Sequence, residues 1–271
     1  HPDIYATAED VYDAFYRLSV KIPRDGTIIA CIDWPLVRRL VSRRVDRRCL
    51  TYGIDSNADY RVVDITEGET TSFNILHNEL KIGPFTTKLA GVHNALNATA
   101  AIITARHLGV TDSVVARAVQ NFVSPSRRFQ VLGKHNGAII IDDYAHHPTA
   151  VKAVIEAARH RYEGKNIVVV FQPHTYSRTG KLLREFAESL LGADKVILLN
   201  IFSSEREKSG YVTITDLINV LKPRKPDVEY RPTTPEVAKL LSGSIDQHDV
   251  VLLLGAGDVY KVYQQLSGGE Q

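Results

Sequence analysis

Four short apolar runs mark the second half of the chain: "GAIIID" from Gly137, "NIVVVFQ" from Asn166, "KVILLN" from Lys195 and "DVVLLLG" from Asp249. The first three are each followed by apolar positions at helical spacing, such as Val151, Val154, Ile155 and Ala158, or Leu183, Phe186, Ala187 and Leu190. Unbroken runs suit strands buried on both faces. Their alternation with amphipathic helices predicts βαβ units around a parallel sheet. In open sheets of that kind a ligand binds beyond the carboxyl ends of the strands. Those ends carry Asp142 and Asp143, then Gln172 and His174, then Ser203 and Ser204, then "GAGD" at Gly255 to Asp258.

The first half is less regular. Thr7 reads as an N-cap with Asp10 in the first turn, and Val11, Ala14, Phe15 and Leu18 follow at the spacing of a helix face. "TIIACID" reads as a buried strand, "PLVRRLVSRRVDRRC" as a helix, and Thr51 to Leu89 as polar, strand-like stretches. An Ala-rich helix follows "GVHN", and a second one after Thr111 is expected to bury Val115, Ala118, Val119 and Phe122. At "SPSRR" the composition changes, and Ser124, Pro125 and Ser126 make a hinge. Two domains follow from this reading, 1–125 and 126–271, within an α/β class.

Composition changes this picture little. The chain has 271 residues, with 33 basic and 31 acidic side chains, so no global field selects a nucleic acid or a membrane as partner. No apolar run approaches the ~20 residues of a membrane helix. Cys31 and Cys49 lack metal-ligand spacing and read as unpaired thiols of a reducing, cytoplasmic setting. The chain contains no Met and opens on His1, which raises the expectation of a piece of a longer protein.

The candidate chemistry gathers at strand ends. Asp142 and Asp143 with "YAHH" suggest a site, although two such acids can also cap a loop. His146 and His147 are adjacent and lack a third metal ligand at any usual spacing. His174, Ser177 and Arg178 could hold an anion where a helix begins, or serve as a capping turn with a solvated Arg. "GAGD" is half a dinucleotide fingerprint or a tight turn. The six arginines from Arg38 to Arg48 fit a solvated helix face, with a nucleic-acid contact as the other reading.

"HPDIYATAEDVYDAF", "GVHNALNATAA", "SRRF", "IDDYAHHPT", "FQPHTYSRT" and "LGAGDVYK", in this order, resemble the Mur ligases. "DDYAHHP" with "QPHTYSRT" points within them to the type that joins L-alanine to UDP-N-acetylmuramate. The resemblance implies an incomplete half of a central ATPase domain over 1–125, followed by a Rossmann-like, mostly parallel-sheet ligase domain over 126–271. It implies ATP and Mg2+ as cofactors and activation of a carboxylate as an acyl phosphate, which an amine then attacks. By that resemblance His1 helps to hold the magnesium ion, His93, Asn94 and Asn97 form the adenine motif, and Asp143 lies near the ribose. Arg128 reaches the terminal phosphate, while Tyr144, His146, His174 and Arg178 line the amino-acid side, with Arg128 and His146 closest to the chemistry. Asn matches the paired donor and acceptor of an adenine edge, and Arg neutralises a phosphoryl group in transfer. No G-x-x-x-x-G-K-[ST] phosphate loop occurs in the chain, and Thr175 stands where some relatives have Arg. A sister ligase that adds a recycled peptide, and a non-catalytic α/β nucleotide-binding module, remain as alternatives.

Overall fold

The computed structural model describes residues 4–44, 46–205 and 207–268. The chain divides between Val123 and Ser124 into two compact units, each built on its own sheet.

In the first unit α1 (Ala8–Val20) opens with a capping box, in which the Asp10 backbone N–H donates to Thr7 Oγ1 at 3.2 Å and the Thr7 N–H donates to the Asp10 carboxylate at 2.9 Å. After it come β1 (Thr27–Cys31), α2 (Pro35–Arg43), β2 (Arg48–Gly53), β3 (Tyr60–Thr66), β4 (Thr71–His77), β5 (Leu80–Thr87), α3 (Val92–His107) and α4 (Asp112–Asn121). The five strands pair in chain order, β1 to β3 parallel and β3 to β5 antiparallel. Phe73, Ile75, Phe85 and Val62 of the sheet pack on Ala95, Ile102 and Val115 of α3 and α4.

Three details differ from the sequence pattern. In α1 Phe15 and Leu18 are 60% and 59% exposed, and Tyr12 is the buried aromatic at 3%. Of the four residues expected inside α4, Val115 is buried, Val119 is half-buried, and Ala118 and Phe122 are exposed. The Arg-rich helix ends at Arg43, and Arg38, Arg39 and Arg43 are exposed on it, as a solvated face requires, while each also makes a contact within the unit. Arg39 lies 4.3 Å from the Tyr12 ring centroid and Arg43 4.4 Å from that of Tyr16, while Arg38 pairs with Asp55 at 2.8 Å. Arg44 is buried and donates to the Ser19 carbonyl at 3.2 Å.

The second unit contains β6 (Gln130–His135), β7 (Ala138–Asp143), α5 (Pro148–Arg161), β8 (Asn166–Phe171), α6 (Tyr176–Lys181), α7 (Leu183–Leu190), β9 (Lys195–Leu198), α8 (Ile214–Leu221), β10 (Val228–Tyr230), α9 (Thr234–Ser242), β11 (Asp249–Leu254) and α10 (Lys261–Ser267). Its sheet has the order β10-β9-β8-β11-β7-β6, parallel except for β6. Alternate residues feed two cores. Ile141, Val169, Phe171, Leu252 and Leu254 meet Val151, Ile155, Phe186, Leu190 and Leu217 from α5, α7 and α8. Ile140, Val168, Val170, Val251 and Leu253 meet Val237, Leu241, Val262 and Leu266 from α9 and α10. Burial on both faces explains why these strands read as unbroken apolar runs.

Candidate functional site

The predicted residues fall in both units, and each group is built within its own. In the first unit α3 starts after Gly91, whose φ of +97° turns the chain into the helix. Asn94 and Asn97 sit one turn apart, with Asn97 Nδ2 donating to Asn94 Oδ1 at 3.4 Å and Asn94 Nδ2 to the Ala90 carbonyl at 2.7 Å. Both asparagines line a cavity of ≈ 350 Å³ between α3 and α4, whose walls are, apart from Thr87, otherwise apolar and include Leu89, Ala98, Ile102, Val115 and Phe122. An apolar slot with a few amide groups has the character of a small-molecule site. The exposure of Ala118 and Phe122, unexpected for core residues, follows from their place on its wall. His93 precedes them and is half-buried.

In the second unit the register aligns Asp143 of β7, Leu254 of β11 and Phe171 of β8 side by side at the strand ends. The turns that follow therefore share one edge of the sheet. Asp142 and Asp143 are both buried there, which rules out a surface loop for them. Asp143 accepts from the Phe129 and Ala145 backbone N–H groups, each at 2.7 Å, and so ties the residues before β6 to the turn after β7. Burial raises the pKa of both carboxyls above the ordinary value; Arg127 pulls Asp142 the other way, and the two backbone N–H groups do the same for Asp143.

Beyond Asp143 a row of rings crosses the strand ends. The Tyr144 and His146 centroids lie 5.1 Å apart edge to face, those of His146 and His174 6.0 Å apart, and those of His174 and Phe202 5.7 Å apart, the last pair stacked. Nδ1 of His146 donates to the Tyr144 carbonyl at 2.8 Å, which makes Nε2 the acceptor nitrogen of the neutral ring. Burial lowers the His146 pKa and favours that neutral form. Arg178 is buried on the first turns of α6 and donates through Nη1 to His174 Nδ1 at 3.4 Å, so it is neither solvated nor a simple turn cap. Arg128 is exposed, with its guanidinium 5.9 Å from the Tyr144 ring centroid.

The structure thus brings Tyr144, His146, His174 and Arg178 together at one sheet edge, with Asp143 beneath them and Arg128 beside Tyr144. It adds Phe202, which the sequence reading passed over, and shows what the strand-end Gln172 and the "GAGD" turn do. Phe202 stacks on His174, and its backbone is locked by N–H donation to the Pro173 carbonyl at 2.7 Å and by acceptance from Thr175 N–H at 3.0 Å. Gln172 Oε1 accepts from Val259 N–H at 3.1 Å while Nε2 donates to Asp258 at 2.8 Å, binding the "GAGD" turn to the end of β8. That turn needs its glycines: a Cβ on Gly255, at φ +151°, would stand 2.7 Å from the Gln172 carbonyl oxygen, and one on Gly257 2.6 Å from the Phe202 ring. Phe202 follows a strand end, which is the one sequence signal that could have singled it out. His1 lies outside the described residues. Among the described residues no cluster of three or more His, Cys, Asp or Glu could hold a metal ion, and no helix is long and apolar enough to cross a membrane.

Comparison with known proteins matches residues 1–105 to the profile of the Mur ligase middle domain and residues 127–257 to that of the Mur ligase glutamate ligase domain. A UDP-N-acetylmuramate–L-alanine ligase of Alkaliphilus metalliredigens is 38% identical over 269 residues, which covers 98% of this chain and 58% of that protein. The crystal structure of a UDP-N-acetylmuramate-alanine ligase from Thermotoga maritima superposes with a TM-score of 0.76 at 23% identity, covering 100% of this chain and 57% of the other. A MurF ligase from the same organism, solved in complex with ADP, gives 0.74 at 21% identity over 97% of this chain and 58% of that one. The chain therefore spans a little under three fifths of the length of these relatives.

Proposed function

Because the chain belongs to the Mur ligase family, we propose that it is the latter part of a cytoplasmic, ATP-dependent ligase that joins L-alanine to UDP-N-acetylmuramate in peptidoglycan precursor synthesis. The remaining length of the relatives would supply a phosphate loop and a sugar-nucleotide domain. The observation that carries this reading is the row Tyr144, His146, His174 and Arg178 along one sheet edge, where a parallel sheet offers a ligand site.

ATP supplies the phosphoryl group that activates the sugar carboxylate, with ADP released. The chain's residues bind and orient around that exchange. Asn94 and Asn97 offer amide donors and acceptors to the adenine edge inside an apolar slot of suitable size. Arg128 offsets charge on the transferring phosphoryl group. Arg178 holds the amino-acid carboxylate in its guanidinium fork, and His146, neutral and with Nε2 as acceptor, takes a proton from the attacking amine. His93 and Asp143 support the nucleotide side through the α3 start and the β7 turn.

The test is product formation by the full-length enzyme that carries this chain, supplied with ATP, UDP-N-acetylmuramate and either L-alanine or a peptide beginning with L-alanine. ADP release with amide product from free L-alanine supports the reading. Turnover restricted to the peptide would assign the sister activity, and ATP binding without any amide would leave a nucleotide-binding module.

A further inference from the structure

Arg127 and Arg128 are neighbours in sequence with opposite surroundings. Arg128 is exposed. Each nitrogen of the Arg127 guanidinium makes a hydrogen bond: Nε donates to Asp142 Oδ2 at 3.0 Å, Nη1 to the Gly257 carbonyl at 3.1 Å and Nη2 to the Gly255 carbonyl at 2.6 Å. The Tyr144 and Tyr260 ring centroids lie 5.2 Å and 5.0 Å from its central carbon. Its backbone is fixed as well, with N–H donating to Gln130 Oε1 at 2.8 Å and the carbonyl accepting from Tyr144 N–H at 2.8 Å. The residue holds φ at +61°, a conformation that a side-chain-bearing residue keeps only where its surroundings impose it.

These contacts join three segments far apart in sequence: the residues before β6, the turn after β7 and the "GAGD" turn after β11. A planar fork that can bond several acceptors in fixed directions and stack on aromatic faces suits this task, and a lysine would keep the charge but lose both the fork and the stacking. Asp142 completes the arrangement. Its Oδ2 receives Arg127, while Oδ1 is buried and makes no hydrogen bond, so the ion pair with Arg127 is the compensation for burying this carboxylate.

We propose that Arg127, anchored by Asp142, is a positioning residue that sets Arg128 at the strand ends for phosphoryl transfer. The proposal rests on the reading of Arg128 as the phosphoryl contact. An arginine on a short strap gains its effect from placement, and a displacement of about 1 Å can cost about a hundredfold in rate.

The experiment measures steady-state kinetics and melting curves of the full-length enzyme with Arg127→Ala, Arg127→Lys, Asp142→Asn, the double variant Arg127→Ala/Asp142→Asn, and Arg128→Lys. Arg127→Ala and Arg127→Lys are expected to lower kcat by about tenfold or more, with the KM for L-alanine within about threefold. The double variant should be little worse than Arg127→Ala, because the two residues act as a unit. Millimolar guanidinium, which can occupy the slot left by Arg127→Ala, should restore part of the rate where urea at the same concentration does not. A lower melting temperature with kcat unchanged would make Arg127 merely structural and overturn the proposal. Should Arg127→Ala not fold, Asp142→Asn decides: a fall in kcat at an unchanged melting temperature supports the proposal, and an unchanged kcat overturns it. If Arg128→Lys itself leaves kcat intact, the phosphoryl reading of Arg128 fails first and this proposal with it; loss in Arg128→Lys alone refutes only the positioning role.

Discussion

The Glu207 carboxylate accepts from both the backbone N–H of Ser177, at 2.8 Å, and its hydroxyl, at 3.1 Å. Ser177 is the second residue of α6, and its N–H is one that an N-cap side chain ordinarily satisfies. The N-cap here is Thr175, which holds φ at +65° and makes no capping bond, and its buried Oγ1 has no partner. Glu207 therefore caps the helix from across the sheet edge and keeps the His174–Arg178 segment in place. Glu207→Ala is expected to lower the unfolding free energy by about 1–2 kcal/mol, in the range of a lost cap. Denaturant unfolding of the chain checks it, and a change below about 0.3 kcal/mol would remove the capping role.

Phe186 of α7 is fully buried, with its ring 5.3 Å from that of Phe171 on β8, the strand whose end carries Gln172 and His174. Truncation to Ala removes a large apolar surface from a packed sheet–helix interface and leaves a cavity. Phe186→Ala should cost about 3–5 kcal/mol. A loss under about 1 kcal/mol in the same unfolding measurement would mean that the interface closes over the gap.

The parallel sheet was legible because Ile140, Ile141, Val168 to Phe171 and Val250 to Leu254 are buried on alternating faces of one layer, and burial on both faces writes itself as a continuous apolar run. The edge strand β6 was not, since Gly133 and a register shift opposite Ile140 interrupt its pattern. In α1 the aliphatic template selected Phe15 and Leu18, whereas the structure buries Tyr12, which Arg39 covers from α2. A stacked Arg–Tyr contact between helices leaves no periodic trace. The strand-end rule located the turns that carry Asp142, His174 and Gly255, but the division between Arg127 and Arg128 depends on a positive φ and on carbonyls some 130 residues away. Nothing within "SRRF" itself encodes that choice.

Protonation of His146 gives a further check. Burial lowers its pKa below the ordinary 6.5. Between that lowered value and 6.5 the unfolded chain binds more protons than the folded one, so stability rises with pH across the window. The contribution is complete above 6.5 and is lost as pH falls towards the folded value. His146→Gln should flatten the dependence of unfolding free energy on pH below about 6.5, leaving the part due to His147, whose pKa burial also lowers. Denaturant titrations at a series of pH values measure the slope, and an unaltered slope would place the imidazole in contact with water.

The chain of 271 residues is expected neither to hydrolyse ATP nor to join alanine to the sugar on its own, because it carries no phosphate loop to cradle the β and γ phosphates. Turnover by the purified chain, prepared free of host ligase, would refute this.

Arg178 carries the most specific expectation for the acceptor site. It is buried, its Nη1 meets His174, and the segment that bears it is held by the Glu207 cap and by the Phe202–Thr175 backbone bond. A forked pair of donors fixes the direction of a carboxylate as well as offsetting its charge, and lysine keeps the charge while losing the fork. Arg178→Lys in the full-length enzyme should therefore raise the KM for L-alanine by about tenfold or more, equivalent to about 1.4 kcal/mol, with the KM for ATP changed much less. A purely structural Arg178 predicts something different: a lower melting temperature with both KM values intact. Steady-state kinetics with a melting curve beside them separate the two outcomes, and an unchanged alanine KM would move the acceptor carboxylate away from the His174–Arg178 segment altogether.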